Sequence, residues 1–366
     1  MNLIKNRYNI LKIILVLPVI IFHSFISFYG WDEARNRENY PSWNSIYNSI
    51  GNSFFSHFGT YLLVLSFFLV GLNFQDKQVK KPTAKWKTYL KLATLFLCFL
   101  GTQFDLTVAL DAEGFFIWDL YSFILTAYLL VFFFGKYIYQ NLKLSTLGFA
   151  LLFWVTPFLQ NALGGRLVAS VDQIFFPTML KTGANAWFLL PWIFLPLLAF
   201  CLGCLSQKNE FRKALVALVP PLAVALVVIA FVPITFYPFQ VDSNLFYLNV
   251  FWQNSNFNIL LIFPYLIFLV LFNHRVFQSL DSSPALHWVS KLQWCKNFWF
   301  SFILHFGFID MMTTYYDVLF KNEIIFNYSW LIVFLGTELL MQLLMVALKF
   351  YAWIFRMLIP KLRLRS

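Results

Sequence analysis

The sequence predicts an all-α protein, a polytopic membrane helix bundle of about ten transmembrane helices with both termini on the cytoplasmic side. Composition is the first reason, because 60% of the 366 residues are hydrophobic and only 12% are charged, whereas soluble domains are about half apolar and a quarter charged. The apolar residues also form long uninterrupted runs. In addition, basic residues concentrate in alternate loops, as the positive-inside rule requires.

Ten apolar runs are long enough to cross a bilayer, since a helix needs about 20 mostly apolar residues to do so. They lie within one integral-membrane domain, 1–366, at 10–30, 55–74, 89–105, 115–134, 144–163, 186–205, 214–236, 257–273, 297–316 and 328–355. The uninterrupted apolar part of the first run follows three basic residues, Lys5, Arg7 and Lys12, as the apolar region of a signal peptide does. No small-residue cleavage site follows it, so we expect a retained anchor.

The basic residues set the predicted orientation. With the N-terminus in the cytoplasm, most of the 27 lysines and arginines fall in inner segments, including the long inner loop 274–296. The outer segments then hold only Arg35, Arg37, Arg166, Lys181 and Lys321. The net charge of +11 is thus explained by topology and by attraction to anionic lipids. We therefore expect membrane lipids, and not nucleic acid, to be the partners of this charge.

Two polar residues of the first predicted span share one helix face. Lys12 and His23 are eleven residues apart, which is just over three turns and a rise of about 16 Å. An ionisable residue inside a membrane span is costly and marks a candidate functional site. The spacing places a cation near the inner rim and an imidazole deeper in the bilayer. A helical histidine that hydrogen-bonds a neighbouring helix, beside a lysine that reaches the interface, is the alternative interpretation.

Several phrases resemble the acyltransferase-3 family of integral-membrane acyltransferases and the related heparan-type acetyltransferase-like group. "KIILVLPVIIFHSF" (12–25) has the family's basic residue, ten intervening residues and histidine, with Lys12 in place of arginine. "FGTYLLVLSFFLVG" (58–71) is similar to its second-span phrase, with Gly59 and Ser66 matching and Tyr61 replacing an aspartate. "KWKTYLKLATLF" (85–96) and "NFWFSFILHFGFI" (297–309) resemble its basic inner segment and its closing phrase.

The resemblance implies an acyl-CoA-dependent O-acyltransferase of the bacterial inner membrane. Such enzymes move an acyl group, usually acetyl, from cytoplasmic acyl-CoA to a hydroxyl of an extracytoplasmic glycan or glycolipid, as in polysaccharide modification. It implies His23 as the catalytic base and Lys12 as a donor-binding residue. Lys85, Lys87 and Lys91 lie in the basic inner segment, where they would attract the phosphates of acyl-CoA as point charges. Neutral histidine suits the base, because its pKa lies near working pH.

Four further residues are candidates for the acceptor side: His57, Ser66, His305 and Asp310. His57 begins the second span and His305 lies within the ninth, with Asp310 just over one turn beyond it. His57 has a structural alternative as an interfacial polar residue, and His305 has one as a hydrogen-bond partner within the bundle. Glu338, inside the tenth span, has no evident partner in the sequence. We expect no metal, since no HExxH motif or comparable ligand spacing occurs, and we interpret the four cysteines as packing residues.

Two other functions are compatible with the sequence. A transporter or flippase for a small molecule or lipid-linked sugar would explain ten spans with buried histidine and acid residues. Transporters often carry repeated halves with matching broken helices, and we find no such symmetry. A catalytically degenerate family member that binds a glycan is the other alternative. Binding of acyl-CoA at the inner face discriminates the enzyme from a transporter.

Overall fold

The computed structural model describes residues 3–31, 58–79, 120–163, 192–208, 255–273, 277–315 and 323–358, with isolated positions at 92–93, 96–97, 100, 211, 213 and 319. Within these ranges the chain is helical and contains no β-strand. The helices are α1 (Leu3–Trp31), α2 (Phe58–Val79), α3 (Leu120–Gln140), α4 (Leu142–Leu163), α5 (Phe194–Leu205), α6 (Ser255–Phe272), α7 (Gln278–Asp281), α8 (Pro284–Val289), α9 (Gln293–Lys296), α10 (Phe298–Thr314), α11 (Glu323–Asn327) and α12 (Ser329–Leu358).

Three of these helices are long and apolar enough to cross a membrane, over Arg7–Phe25, Phe123–Gln140 and Ser329–Tyr351. Shorter apolar helices coincide with five more of the predicted spans. The predicted spans at 89–105 and 214–236 lie almost wholly outside the described residues. The all-helical prediction is therefore confirmed for the described part of the chain, whereas the count of ten spans stays a prediction.

Exposed apolar side chains cover much of α12, as expected for a helix that faces lipid. Leu335, Leu339 and Leu343 are each more than half exposed, as are Tyr351 and Trp353 nearer its end. The opposite face of α12 is buried and carries Val333, Thr337 and Met341. In water an apolar surface of this extent would be unfavourable, so this helix is consistent with a membrane environment.

The chain forms two compact units, Met1–Ile50 with Gln278–Ser366, and Gly51–Phe277. In the first unit, α1 packs against α10 and α12 and against the three short helices α7, α8 and α9. These short helices belong to the stretch 274–296, which the sequence predicts as an inner loop. Asp281, Leu286, Trp294 and Cys295 of this stretch are buried. From Gln278 onward, this stretch is thus a packed part of the first unit.

The second unit contains a close helix crossing between α2 and α5. A Cβ atom at Gly71 would overlap the backbone carbonyl of Phe200, and one at Gly203 would overlap the carbonyl of Phe68. The two backbones therefore approach to a distance that only glycine permits. The Cys204 thiol donates to the carbonyl oxygen of Gly71 at 3.3 Å. Small residues at helix contacts are the usual means of close packing between membrane helices.

Candidate active site

Two histidines from different helices of the first unit meet in its interior. Nδ1 of His23, on α1, lies 2.9 Å from Nε2 of His305, on α10. Their rings are nearly parallel, with 5.2 Å between centroids. His305 is fully buried, and His23 is partly buried. Placing two imidazoles in this interior is costly unless their nitrogen atoms are hydrogen-bonded, and the pair meets part of that requirement itself.

A backbone carbonyl fixes the direction of the hydrogen bond between the two histidines. Nδ1 of His305 is bonded to the carbonyl oxygen of Phe302, one turn earlier on α10. A carbonyl oxygen only accepts, so this nitrogen carries the proton. In the neutral pair, Nε2 of His305 is then the acceptor, and Nδ1–H of His23 donates to it. The remaining nitrogen of His23, Nε2, is left with a lone pair.

This lone pair gives His23 the form of a general base. Among the described residues, none hydrogen-bonds to Nε2 of His23. The surroundings are aromatic, with ring centroids of Phe306, Phe22 and Phe302 at 4.7, 5.8 and 6.2 Å from that of His23. These described rings around His23 are thus apolar, a surrounding that suits a small uncharged group.

Lys12 lies about three turns from His23 on α1, toward the N-terminus of this helix. Its ammonium donates to the carbonyl oxygen of Cys295 at 3.1 Å and lies 3.4 Å from Oδ1 of Asn9. The Cys295 carbonyl belongs to the short helix α9, so the lysine ties α9 to α1. Burial raises the pKa of the Cys295 thiol to about 11, and the thiol donates to the carbonyl of Asn9 at 3.5 Å. The thiol is therefore protonated at neutral pH.

A buried ion pair fixes the start of α1. The guanidinium of Arg7 donates to Oδ2 of Asp281, on α7, at 3.0 Å from Nε and 2.6 Å from a terminal nitrogen. The backbone N–H of Arg7 donates to the other carboxylate oxygen at 3.0 Å. Both side chains are almost completely buried. Arg7 therefore ties α7 to the start of α1.

Glu338 on α12 binds the beginning of α9. Its carboxylate accepts from the backbone N–H of Gln293 at 2.8 and 2.9 Å and from that of Trp294 at 3.2 Å. The amide of Gln342 donates to it at 2.8 Å. Leu292, which precedes α9, provides no side-chain cap. The carboxylate satisfies N–H groups that have no partner within so short a helix. The acid that lacked an explanation in the sequence is therefore a cap supplied by another helix.

The other predicted site residues lie elsewhere or outside the described residues. Asp310 is exposed on α10, and the hydroxyls of Thr313 and Thr314 donate to its backbone carbonyl. Ser66 belongs to the second unit, where its hydroxyl donates to Leu62 of its own helix at 2.8 Å. Four residues fall outside the described part of the chain: His57, Lys85, Lys87 and Lys91.

The sequence did not indicate Asp281 or Trp294 as residues that shape this site. It indicated Glu338 but not its role. The indole of Trp294 lies 6.1 Å from the His305 ring, and its Nε1 donates to the carbonyl of Phe334 at 3.2 Å. A signal for Glu338 existed, because an acid inside an apolar span needs a partner. Asp281 and Trp294 lie in the predicted inner loop 274–296, so nothing in their sequence context indicates burial.

Comparison with family models, with curated proteins and with solved structures finds no match to this chain. Within the described residues, no group of three or more histidine, cysteine or acidic side chains is placed to hold a metal ion.

Proposed function

We propose that this chain is an integral-membrane O-acyltransferase that moves an acyl group, usually acetyl, from acyl-CoA to a hydroxyl of a glycan or glycolipid. The observation that carries the proposal is the histidine pair, which presents Nε2 of His23 as a base inside an apolar interior. The resemblance of 12–25 and 58–71 to the acyltransferase-3 family favours the same reaction. The ten-span topology, with both ends in the cytoplasm of a bacterial inner membrane, is part of this proposal.

The reaction needs a base because a sugar hydroxyl is a weak nucleophile at neutral pH. As the hydroxyl oxygen attacks the thioester carbonyl carbon, Nε2 of His23 takes the hydroxyl proton. The new C–O bond forms and the C–S bond breaks. The departing CoA thiolate takes the proton back, so that His23 returns to its neutral form. His305 keeps the Nδ1–H of His23 bonded throughout and spreads the charge that His23 carries between the two proton transfers.

The donor side of the proposal depends on Lys12. An ammonium on the same helix face as the base, about 16 Å away along the helix axis, lies at a distance suited to an extended donor whose reactive end is far from its phosphates. Lysine binds phosphate as a point charge. Hydrogen bonds to the Cys295 carbonyl and to Oδ1 of Asn9 hold the ammonium at this position.

The experiment that tests this function measures transfer of radiolabelled acetyl from acetyl-CoA into the glycan and lipid fraction of membranes that contain the full chain. We expect His23→Ala to lower the rate by about 100-fold or more, while acetyl-CoA binding by the purified variant stays at the wild-type level. His287→Ala is the matched control, because that histidine is exposed on α8. Failure of the wild-type protein to bind acetyl-CoA would falsify the proposed acyltransferase function and favour a transporter.

The same assay separates the role of Lys12 from that of His23. We expect Lys12→Met to raise the KM for acetyl-CoA by about tenfold, the equivalent of one charged hydrogen bond, with a smaller effect on kcat. Lys12→Arg keeps the charge and should retain donor binding. Lys291→Met, in an exposed turn, controls for the loss of one positive charge. A KM that is unchanged in Lys12→Met would restrict Lys12 to tying α9 to α1.

A further inference from the structure

The short helix α9 touches both functional parts of the proposed site. At one position, its Cys295 carbonyl accepts from the Lys12 ammonium at 3.1 Å. At the preceding position, the Trp294 ring packs beside His305, with 6.1 Å between ring centroids. Two consecutive residues of α9 thus contact the proposed donor-binding lysine and the partner of the proposed base. A shift of α9 would therefore disturb both contacts together.

A helix of four residues does not hold its own position. It has no room for the backbone hydrogen bonds that stabilise a longer helix, so its place depends on contacts with its neighbours. On the α12 side, the Glu338 carboxylate receives three backbone hydrogen bonds from two residues. Trp294 stacks on Phe334 and donates to its carbonyl, and the Gln293 amide donates to Gln342. Both oxygens of the carboxylate are used, so an amide in its place would turn one N–H₂ group toward the backbone N–H groups.

We propose that Glu338 is a positioning residue of the acyl transfer, which acts by clamping α9 so that α9 holds Lys12 and His305 in their working places. The proposal rests on the proposed function for its catalytic part. Its structural part, the clamping of α9, does not depend on the proposed function, because it rests on the hydrogen bonds of Glu338. Among the described residues, Glu338 forms no hydrogen bond with the histidine pair or with Lys12, so it acts through α9.

Cys295 provides a direct measure of whether α9 is clamped. Its side chain is buried, and burial raises the pKa of its thiol to about 11, so both access and reactivity are low while α9 is in place. In a full chain carrying Cys98→Ser, Cys201→Ala and Cys204→Ser, Cys295 is the only thiol of the four cysteines. We expect Glu338→Gln to raise the rate of maleimide labelling of Cys295 by about tenfold or more, because the lost charge-assisted hydrogen bonds favour local opening.

Kinetics then distinguish positioning from a general loss of folded protein. Glu338→Gln should raise the KM for acetyl-CoA through Lys12 and lower kcat through His305, both by about tenfold. A merely unstable protein would lose active fraction and leave KM unchanged. Glu338→Asp, which keeps the charge on a shorter side chain, should recover part of both values. Leu339→Ala, at the neighbouring exposed position of α12, is the control for changes to this helix.

Each result separates the two proposals. Unchanged labelling in Glu338→Gln overturns the clamp. Faster labelling with unchanged kcat and KM overturns the positioning role while the clamp remains. If the wild-type protein transfers no acetyl and Glu338→Gln still labels faster, the proposed function fails and the clamp stands.

Discussion

Nδ1 of His305 defines the chemistry of the whole site, because its bond to the Phe302 carbonyl determines which nitrogen of His23 is free. A single histidine would not fix which of its own nitrogens is free. An isolated imidazole in an apolar interior can carry its proton on either nitrogen. The pair fixes one arrangement, in which Nε2 of His23 carries the free lone pair and His305 accepts the hydrogen bond from Nδ1–H of the same ring.

This arrangement predicts a graded response at His305. His305→Gln keeps an acceptor for Nδ1–H of His23, whereas His305→Leu removes it and leaves a buried donor without a partner. We expect the leucine variant to lower kcat by about tenfold and the glutamine variant to lose less. Steady-state acetyl transfer measures both. Equal loss in the two variants would mean that packing, and not the hydrogen bond, is what His305 contributes.

The sequence identified both histidines individually and left their pairing unknown. Each is costly inside an apolar span, and that cost can be read directly from composition. Their partnership depends on how α1 and α10 pack, since 282 residues separate them in the chain. Glu338 illustrates the same limit, because its buried carboxylate was recognisable from the sequence, whereas its backbone partners on α9 required the fold.

Among the helices, the crossing of α2 and α5 has the strictest sequence requirement. Glycines at 71 and 203 bring the two backbones together, and the amide of Gln207 donates to the carbonyl of Leu72 next to the crossing. Helix α5 carries Ala199 and Gly203 one turn apart, which is the small-residue spacing of close membrane helix pairs. Apolar periodicity alone predicts that these helices exist and does not predict which of them cross closely.

We expect Gly203→Ala to destabilise the protein by about 1–3 kcal/mol, because the added methyl group forces the two helices apart. Gly148→Ala, in α4, is the matched control, since a Cβ there meets nothing within 4 Å. Alanine at that position should be neutral or slightly stabilising, given its higher helix propensity. Thermal unfolding of the purified proteins in detergent compares the two. A smaller loss at 203 than at 148 would contradict the crossing.

At the scale of the whole molecule, the distribution of charge makes a topological prediction. Most lysines and arginines fall on one side if ten spans are threaded from a cytoplasmic N-terminus. Apolar runs and charge bias were sufficient to predict an all-helical chain, and all its described residues agree. They did not reveal which residues of the stretch 274–296 are buried, because a polar loop and a packed segment with a few buried residues have similar composition.

Reporter fusions test this topology. We expect a fluorescent protein that folds only in the cytoplasm to be bright when it is fused after residue 366 and when it is inserted near residue 80. An alkaline phosphatase that is active only outside should be active when inserted near residue 40. Residue 40 follows the first predicted membrane crossing, residue 80 follows the second and residue 366 follows the last. Phosphatase activity at the C-terminal position would require an odd number of spans and would contradict the predicted ten-span topology.

The hydrogen bond to the Phe302 carbonyl has a consequence for the membrane as an insulator. A chain of groups conducts protons only if every member can take a proton on one side and release one on the other, and an amide carbonyl does not do this. The two histidines therefore form a path that stops at the backbone of α10. A histidine pair arranged in this way can lie in an apolar interior without passing protons along α10, so it would leave a proton gradient across the surrounding membrane intact.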